Sequence, residues 1–171
     1  LGFQVIKQDQ AMCKDKTPVT PATRLLKQAN IDYTRHFYNY EERGGTAVSA
    51  RELQVSEHQV VKTLVMQVEH GNPLLVLMHG DREVSTKALA RAINVKTVSP
   101  CSADTAQKQT GYQVGGTSPF ATRKTLPVYM EKTIQGLEKI YINGGKRGYI
   151  VSLASEDLLR LLEPRLVDAA Q

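Results

Sequence analysis

The stretch from Val60 to His79 constrains the fold more than any other part of the chain. Val60-Val61-Lys62-Thr63-Leu64-Val65-Met66-Gln67-Val68 is dense in β-branched residues, Asn72-Pro73 marks a turn, and Leu74-Leu75-Val76-Leu77-Met78-His79 is almost continuously apolar. β-branched side chains fit a pleated surface, so the first run predicts a strand over 60–68. An apolar run with no polar alternation predicts a second strand, over 74–79, buried on both faces. Lys62 interrupts the first of these strands. A buried, unpaired ammonium is costly, so Lys62 must reach solvent, meet an anion or stand in a ligand cavity.

The rest of the chain supplies short elements around that pair. Thr20 and Pro21 open a helix whose apolar stripe is Ala22, Leu25, Leu26 and Ala29, with Asn30 at its end. Residues 33–40 read as an aromatic strand in which Phe37 and Tyr38 face opposite ways, so that one of the two is core. Gly44-Gly45 breaks it, and a helix over Ala47–Gln54 follows with Thr46 as cap. Ser56 and Gln59 have capping-box spacing. Ser85 caps a helix containing Leu89, Ala92 and Ile93; Val95–Val98 reads as a strand; a helix over Ala103–Gln109 ends at Gly111. Leu126–Met130 reads as a strand that Pro127 assigns to an edge. Ile140–Asn143 and Tyr149–Leu153 flank Gly144-Gly145 as a hairpin with a long loop. Ser155 caps a last helix, closed by Pro164. Strands and helices do not alternate as in a Rossmann unit, and the expected fold is α/β: a mixed, mostly antiparallel curved sheet surrounded by short helices.

A chain of 171 residues, 41% hydrophobic and 23% charged, suits one compact domain and argues against wholesale disorder. The expected domain is 20–171, with 1–19 a flexible N-terminal segment. Leu1 to Ala11 show no clear period, and Met12 fits a native start as well as those residues fit a natural arm. No apolar run approaches membrane-spanning length and no secretory leader is seen, so the expected location is cytoplasmic, without a membrane partner. Cys13 and Cys101 make neither a disulfide framework nor a metal pair, and His36, His58, His70 and His79 form no zinc motif. No metal and no organic cofactor is expected. The formal charge of +5 suits an anionic partner, nucleic acid or a small phosphate.

Two glycine segments stand out, Gly111-Tyr112-Gln113-Val114-Gly115-Gly116-Thr117-Ser118-Pro119 and Asn143-Gly144-Gly145-Lys146-Arg147-Gly148. Their amides could hold an anion or orient an ester carbonyl, although neither has Walker spacing and either segment alone reads first as a simple turn. Lys146 and Arg147, Arg123 and Lys124, and Lys87 and Arg91 form basic pairs that fit a phosphate backbone or a solvated surface. Asp157 falls in the first turn of the last helix, where the helix dipole favours an acid. No nucleophilic triad is recognisable: Gly80-Asp81-Arg82 is no serine elbow, and Ser118 has no base that the sequence pairs with it.

With these residues in order, the chain resembles the YbaK/ProX family of aminoacyl-tRNA deacylases from about Thr20 to Asp168. The resemblance is carried by Val61-Lys62-Thr63-Leu64-Val65, by the Gly111-to-Pro119 segment and by Ile140 to Gly148. It implies a curved-sheet fold similar to the editing domain of some prolyl-tRNA synthetases, and cleavage of the ester of a mischarged tRNA, with Cys-tRNA(Pro) first. It places the family's essential lysine on Lys62, its substrate loop on Gly115, Gly116, Thr117 and Ser118, its pocket tyrosine on Tyr38 and its pocket acid on Asp157. Arg123, Lys124, Lys146 and Arg147 would follow the tRNA backbone, and tRNA(Pro) and prolyl-tRNA synthetase are the implied partners. Cys-specific members carry Phe-Gly-Asp after the first strand, where this chain has Gly44-Gly45-Thr46-Ala47-Val48-Ser49. A deacylase for alanine or another small amino acid is therefore an alternative, as is a non-catalytic tRNA- or synthetase-binding module.

Overall fold

The structure, a computed structural model, describes residues 17–171. Met12, Cys13 and all but the last three residues of the expected N-terminal segment lie outside the described residues.

Helix α1 (Pro21–Gln28) opens on a capping box: the Thr20 hydroxyl accepts from the Thr23 N–H and the Thr23 hydroxyl returns to the Thr20 N–H. The same Thr20 hydroxyl donates to the Gly144 carbonyl, tying α1 to a strand 124 residues away. Strand β1 (Thr34–Phe37) is shorter than the aromatic run predicts. It ends the sheet, so neither ring is core: Phe37 is 57% exposed and stacks on Tyr149, while Tyr38 is half-buried and beyond the strand. Helix α2 (Gly45–Leu53) starts two residues early, because Thr46 spends its hydroxyl on Glu57 and the Gly80 carbonyl rather than on a cap.

Strands β2 (Val60–Val68) and β3 (Pro73–His79) pair antiparallel, with Lys62 opposite Met78. β3 is covered on both faces: Leu77 joins one apolar cluster, and Leu74, Val76 and Met78 join another. Each such side chain contributes about 1.5–3 kcal/mol on burial. The first cluster lies under α1 and includes Leu26, Phe120, Ile140, Ile142 and Val151; the second includes Leu89 and Ala90 of α3 (Thr86–Ala92), which Ser85 caps. β4 (Val98–Pro100) and α4 (Ala103–Thr110) follow, the latter ended by Gly111 in the left-handed region.

β5 (Val128–Glu131) is not the edge that Pro127 suggests. Pro127 precedes the ladder and offers only its carbonyl, to the Leu75 N–H at 2.8 Å, so its missing donor costs nothing. β6 (Lys139–Lys146) and β7 (Tyr149–Ala154) form a hairpin tighter than expected, because β6 runs on through Gly144-Gly145 with a register shift between Asn143 and Lys146. α5 (Ser155–Leu162) has no side-chain cap; Ser155 donates to the Leu137 carbonyl instead. β8 (Arg165–Val167), which three residues after Pro164 do not announce, is the true far edge, and the buried Glu131 carboxylate accepts the N–H groups of Ala169 and Ala170 just beyond it.

The sheet order is β1-β7-β6-β2-β3-β5-β8, with β4 also on β2. Among the described residues four pairings are antiparallel and three parallel, and five α-helices of seven to nine residues surround them, which is the mixed, mostly antiparallel architecture expected.

Candidate active site in the fork of the sheet

One edge of β2 has two partners. β6 takes Val60 and Val61, and β4 takes Met66 to Val68. Between them the sheet opens, and residues 62–65 floor a cleft of about 690 Å³. Its walls include Thr46 and Ser49 of α2, Arg43 just before that helix, Tyr38 and Tyr40 after β1, Val114, Gly115 and Thr117 of the glycine loop, Asn143 and Arg147 of the hairpin, Cys101 before α4 and Ala103 at its start.

Lys62 stands on this floor with its side chain 18% exposed. Its Nζ donates to Glu83 Oε1 at 3.0 Å and to the Gly80 carbonyl at 3.4 Å, so the burial of the ammonium is compensated. Gly80 is held close: a Cβ there would lie 2.7 Å from Thr46 Oγ1 and 2.8 Å from the Glu57 carbonyl. Glu83 in turn exchanges backbone hydrogen bonds with Gln171. A cation is thus kept at the cleft floor by a partner whose own side chain is 76% exposed and free to rearrange.

The two glycine segments meet at the cleft, and Asn143 joins them. Its Oδ1 accepts from the N–H of Gly145 at 2.7 Å and of Lys146 at 3.1 Å, while Nδ2 donates to the Gly115 and Lys146 carbonyls. Arg147 Nε donates to the Val114 carbonyl at 2.8 Å, and its guanidinium lies 5.0 Å from the Tyr40 ring centroid. Gly116 is required where the segments touch: a Cβ would lie 2.8 Å from the Arg147 nitrogen. Gly115, at φ +87°, takes a conformation that other residues avoid.

Of the residues expected at the site, Lys62, Tyr38, Gly115, Thr117 and Arg147 line one cleft. Burial pushes the Tyr38 phenol above its ordinary value, against the opposing effect of Gly148, so it remains a proton donor. Gly116 and Ser118 support the loop from behind; Ser118 is fully buried and its Oγ accepts from the Phe120 N–H. Lys146 is exposed beside Arg147 on the hairpin. Arg123 and Lys124 are exposed on a segment whose N–H groups bond the carbonyls of Thr110 and Gln109 at the end of α4, and they do not line the cleft. Asp157 is likewise outside the lining; on α5 it pairs with Arg160 at 2.8 Å. That helix position and that partner account for the acid without a ligand.

Tyr40, Cys101 and Asn143 line the cleft without having been assigned to it, together with Thr46 and Ser49 of the segment that stands in place of Phe-Gly-Asp. Tyr40, two residues from Tyr38, shared the signal that found Tyr38. Asn143 stood inside a segment already singled out. Cys101 carries no local mark. Burial raises the Cys101 thiol above its ordinary value, which keeps it protonated and a poor nucleophile. Among the described residues no three His, Cys, Asp or Glu side chains cluster to hold a metal ion, and no helix is long and apolar enough to cross a membrane. His79 is a satisfied core residue, bonded to the His58 carbonyl and Thr133 Oγ1 at 2.7 Å each.

A family model for the aminoacyl-tRNA editing domain matches residues 41–161. The "Putative Cys-tRNA(Pro)/Cys-tRNA(Cys) deacylase EbsC" of Enterococcus faecalis is 32% identical over 152 residues, 88% of this chain and 93% of that protein. The proline–tRNA ligase of Streptococcus equi subsp. equi is 28% identical over 97 residues, 57% of this chain but 16% of the ligase. Among solved structures, the hypothetical protein APE2540 superposes with a TM-score of 0.81 at 20% identity, covering 89% of this chain and all of that one. A structure described as a "putative trans-editing enzyme for prolyl tRNA synthetase" gives 0.75 at 19% identity, covering 90% and 99%. At such identities the superpositions speak for the fold, while the sequence match covers the cleft floor, the glycine loop and the hairpin together: the chain belongs to the aminoacyl-tRNA editing domain family, in its YbaK/ProX-like form.

Proposed function

We propose that this protein is a trans-acting aminoacyl-tRNA deacylase that removes cysteine from mischarged tRNA(Pro). The observation that carries the reading is the cleft itself: a half-buried lysine on the floor of a sheet fork, roofed by a glycine loop and a basic hairpin. That arrangement suits the 3′ end of a charged tRNA, an anionic strand ending in a small ester. The name of the Enterococcus relative supports the same substrate class. Lys62 leaves Glu83 to hold a ribose or acyl oxygen of the substrate. The amides near Gly115 and Thr117 position the acyl group and terminal adenosine, and Tyr38 donates from the wall. Arg147 and Lys146 at the mouth, with Arg123 and Lys124 farther along, follow the phosphate backbone and add affinity without reading sequence. Asp157 has no part in this scheme.

No protein nucleophile is required. The substrate's own thiol attacks its ester carbonyl: a sulfur–carbon bond forms, the carbon–ribose oxygen bond breaks, and the thiol proton passes to the leaving oxygen. The cleft supplies proximity and charge stabilisation. Specificity for tRNA(Pro) is delegated in part to prolyl-tRNA synthetase as partner. The second reading, an alanine- or small-amino-acid-specific deacylase using water, is favoured by one feature: the α2 wall is built from Thr46 and Ser49, with no aromatic ring.

Hydrolysis of Cys-, Ala-, Ser- and Pro-charged tRNA(Pro) and of Cys-tRNA(Cys) tests these readings. Preferential loss of cysteine from tRNA(Pro), abolished in Lys62→Ala, is the expected result. Turnover centred on alanine or serine selects the second reading. Binding of tRNA without any turnover makes the protein a binding module.

A further inference from the structure

The fork leaves backbone groups as well as side chains facing the cleft. In an antiparallel pair, alternate residues turn both N–H and C=O to the partner strand, and the residues between turn both away. The Gly80 N–H donates to the Val60 carbonyl at 2.6 Å across the β2–β3 pair, so residues 60, 62, 64 and 66 turn toward β3. Val61, Thr63 and Val65 therefore turn to the forked edge, and the Cys101 N–H reaches the Val65 carbonyl from that side at 3.0 Å. The β6 ladder stops at Val61 and the β4 ladder begins at Met66. The N–H and the carbonyl of Thr63 are left without a protein partner among the described residues. So is the Thr63 hydroxyl, which is buried. Buried polar groups in folded proteins are nearly always paired, and an unpaired set on the floor of a cleft is a ready-made recognition edge.

We infer that Thr63 binds the amino-acid moiety of the substrate through its main chain, as one residue of an added antiparallel strand; this rests on the deacylase reading above. The α-ammonium of the acyl group donates to the Thr63 carbonyl, and the ester carbonyl accepts from the Thr63 N–H. This is the two-bond exchange that a directly opposed residue makes in a sheet. It reads what all α-amino acids share and leaves the side chain to the walls. It also puts an N–H on the oxygen that becomes negative when the ester is attacked. Lys62, the preceding residue on the strand, then acts from the adjoining face on the remaining oxygens.

Non-hydrolysable amide analogues test the assignment apart from turnover. 3′-Cysteinylamino-3′-deoxyadenosine and its 3-mercaptopropionyl counterpart differ by the α-ammonium alone, as do the alanyl and propionyl pair. The expected result is that loss of the ammonium weakens binding about 10-fold or more in both pairs, as for a charge-assisted hydrogen bond. In the 15N-labelled full chain, the Thr63 amide proton should move downfield and gain exchange protection on saturation with the aminoacyl compounds, and not with adenosine. Thr63→Pro removes an N–H that no neighbouring strand uses, and should remain folded while losing turnover. Equal binding of the deamino analogues, or a Thr63 amide indifferent to a saturating analogue, overturns the inference. Cleavage of aminoacyl-tRNA with no saturable analogue binding overturns it and leaves the deacylase reading standing; failure of both cleavage and binding overturns both.

Discussion

Lys62 and Asp157 reached the candidate site by the same resemblance, and the structure gives them different surroundings. Lys62 sits in a strand, with Val60 and Leu64 as its neighbours on the same face, where apolar side chains leave an ammonium few places to go. It ends at the floor of a cleft, held by Glu83. Asp157 sits in the first turn of α5, where an acid is favoured locally, and Arg160 one turn on completes it. A charge that its element cannot explain is a stronger pointer to chemistry than a charge that its element welcomes.

The largest effect belongs to the cleft floor. Lys62→Ala removes the one cation on that floor, and kcat/KM for the preferred charged tRNA should fall about 10²–10³-fold, the range for deleting a preorganised electrostatic contact. Its thermal stability should change little, because the partner left behind, Glu83, is largely exposed. Single-turnover deacylation beside a melting curve reads both quantities, and unimpaired turnover would end the argument from an unexplained charge.

Next come the residues that shape the cleft from its roof. Gly116→Ala drives a Cβ to 2.8 Å from the Arg147 backbone nitrogen, where neither segment can yield without breaking the Asn143 hydrogen bonds. A destabilisation of about 1–3 kcal/mol is expected, typical of overpacking, and with it a loss of activity about 10-fold. Arg147→Ala is milder. It removes the bond to the Val114 carbonyl and the contact over Tyr40. KM should rise about threefold to tenfold with kcat nearly unchanged, and the salt dependence of tRNA binding should flatten by about one phosphate contact.

The same contrast between local and distant causes governs how far the sequence could be read. β2, β3 and the α1 cap were legible because β-branched density, apolar continuity and Thr20-Pro21 act over a few residues. Lys62 and the glycine loop were legible for the same reason. The fork was not, because it depends on β6 pairing with β2 over two residues and β4 over three, across thirty or more positions of chain in either case. Cys101 and Glu83 have no local peculiarity and take their places only through that closure. Pro127 misled because its carbonyl, and not its missing N–H, is what faces β3. β8 offered three residues, too few for any period.

The smallest expected effect is the most discriminating. Asp157→Asn removes the carboxylate charge from a pair whose arginine side is 67% exposed, leaving the helix start and its polar shape in place. An exposed pair one turn apart contributes about 0.2–0.5 kcal/mol, and the helix dipole adds about 0.3–1 kcal/mol for an acid in the first turn. The melting temperature should therefore drop by a few degrees at most, and less as salt is raised. Deacylation should stay within about twofold of the unaltered protein, since nothing in the cleft loses a contact. A tenfold loss of kcat at unchanged stability would show that Asp157 reaches the substrate after α5 moves. The lysine and the acid would then act from one site, and the contrast between them would lie in the motion of a helix rather than in the distribution of charge.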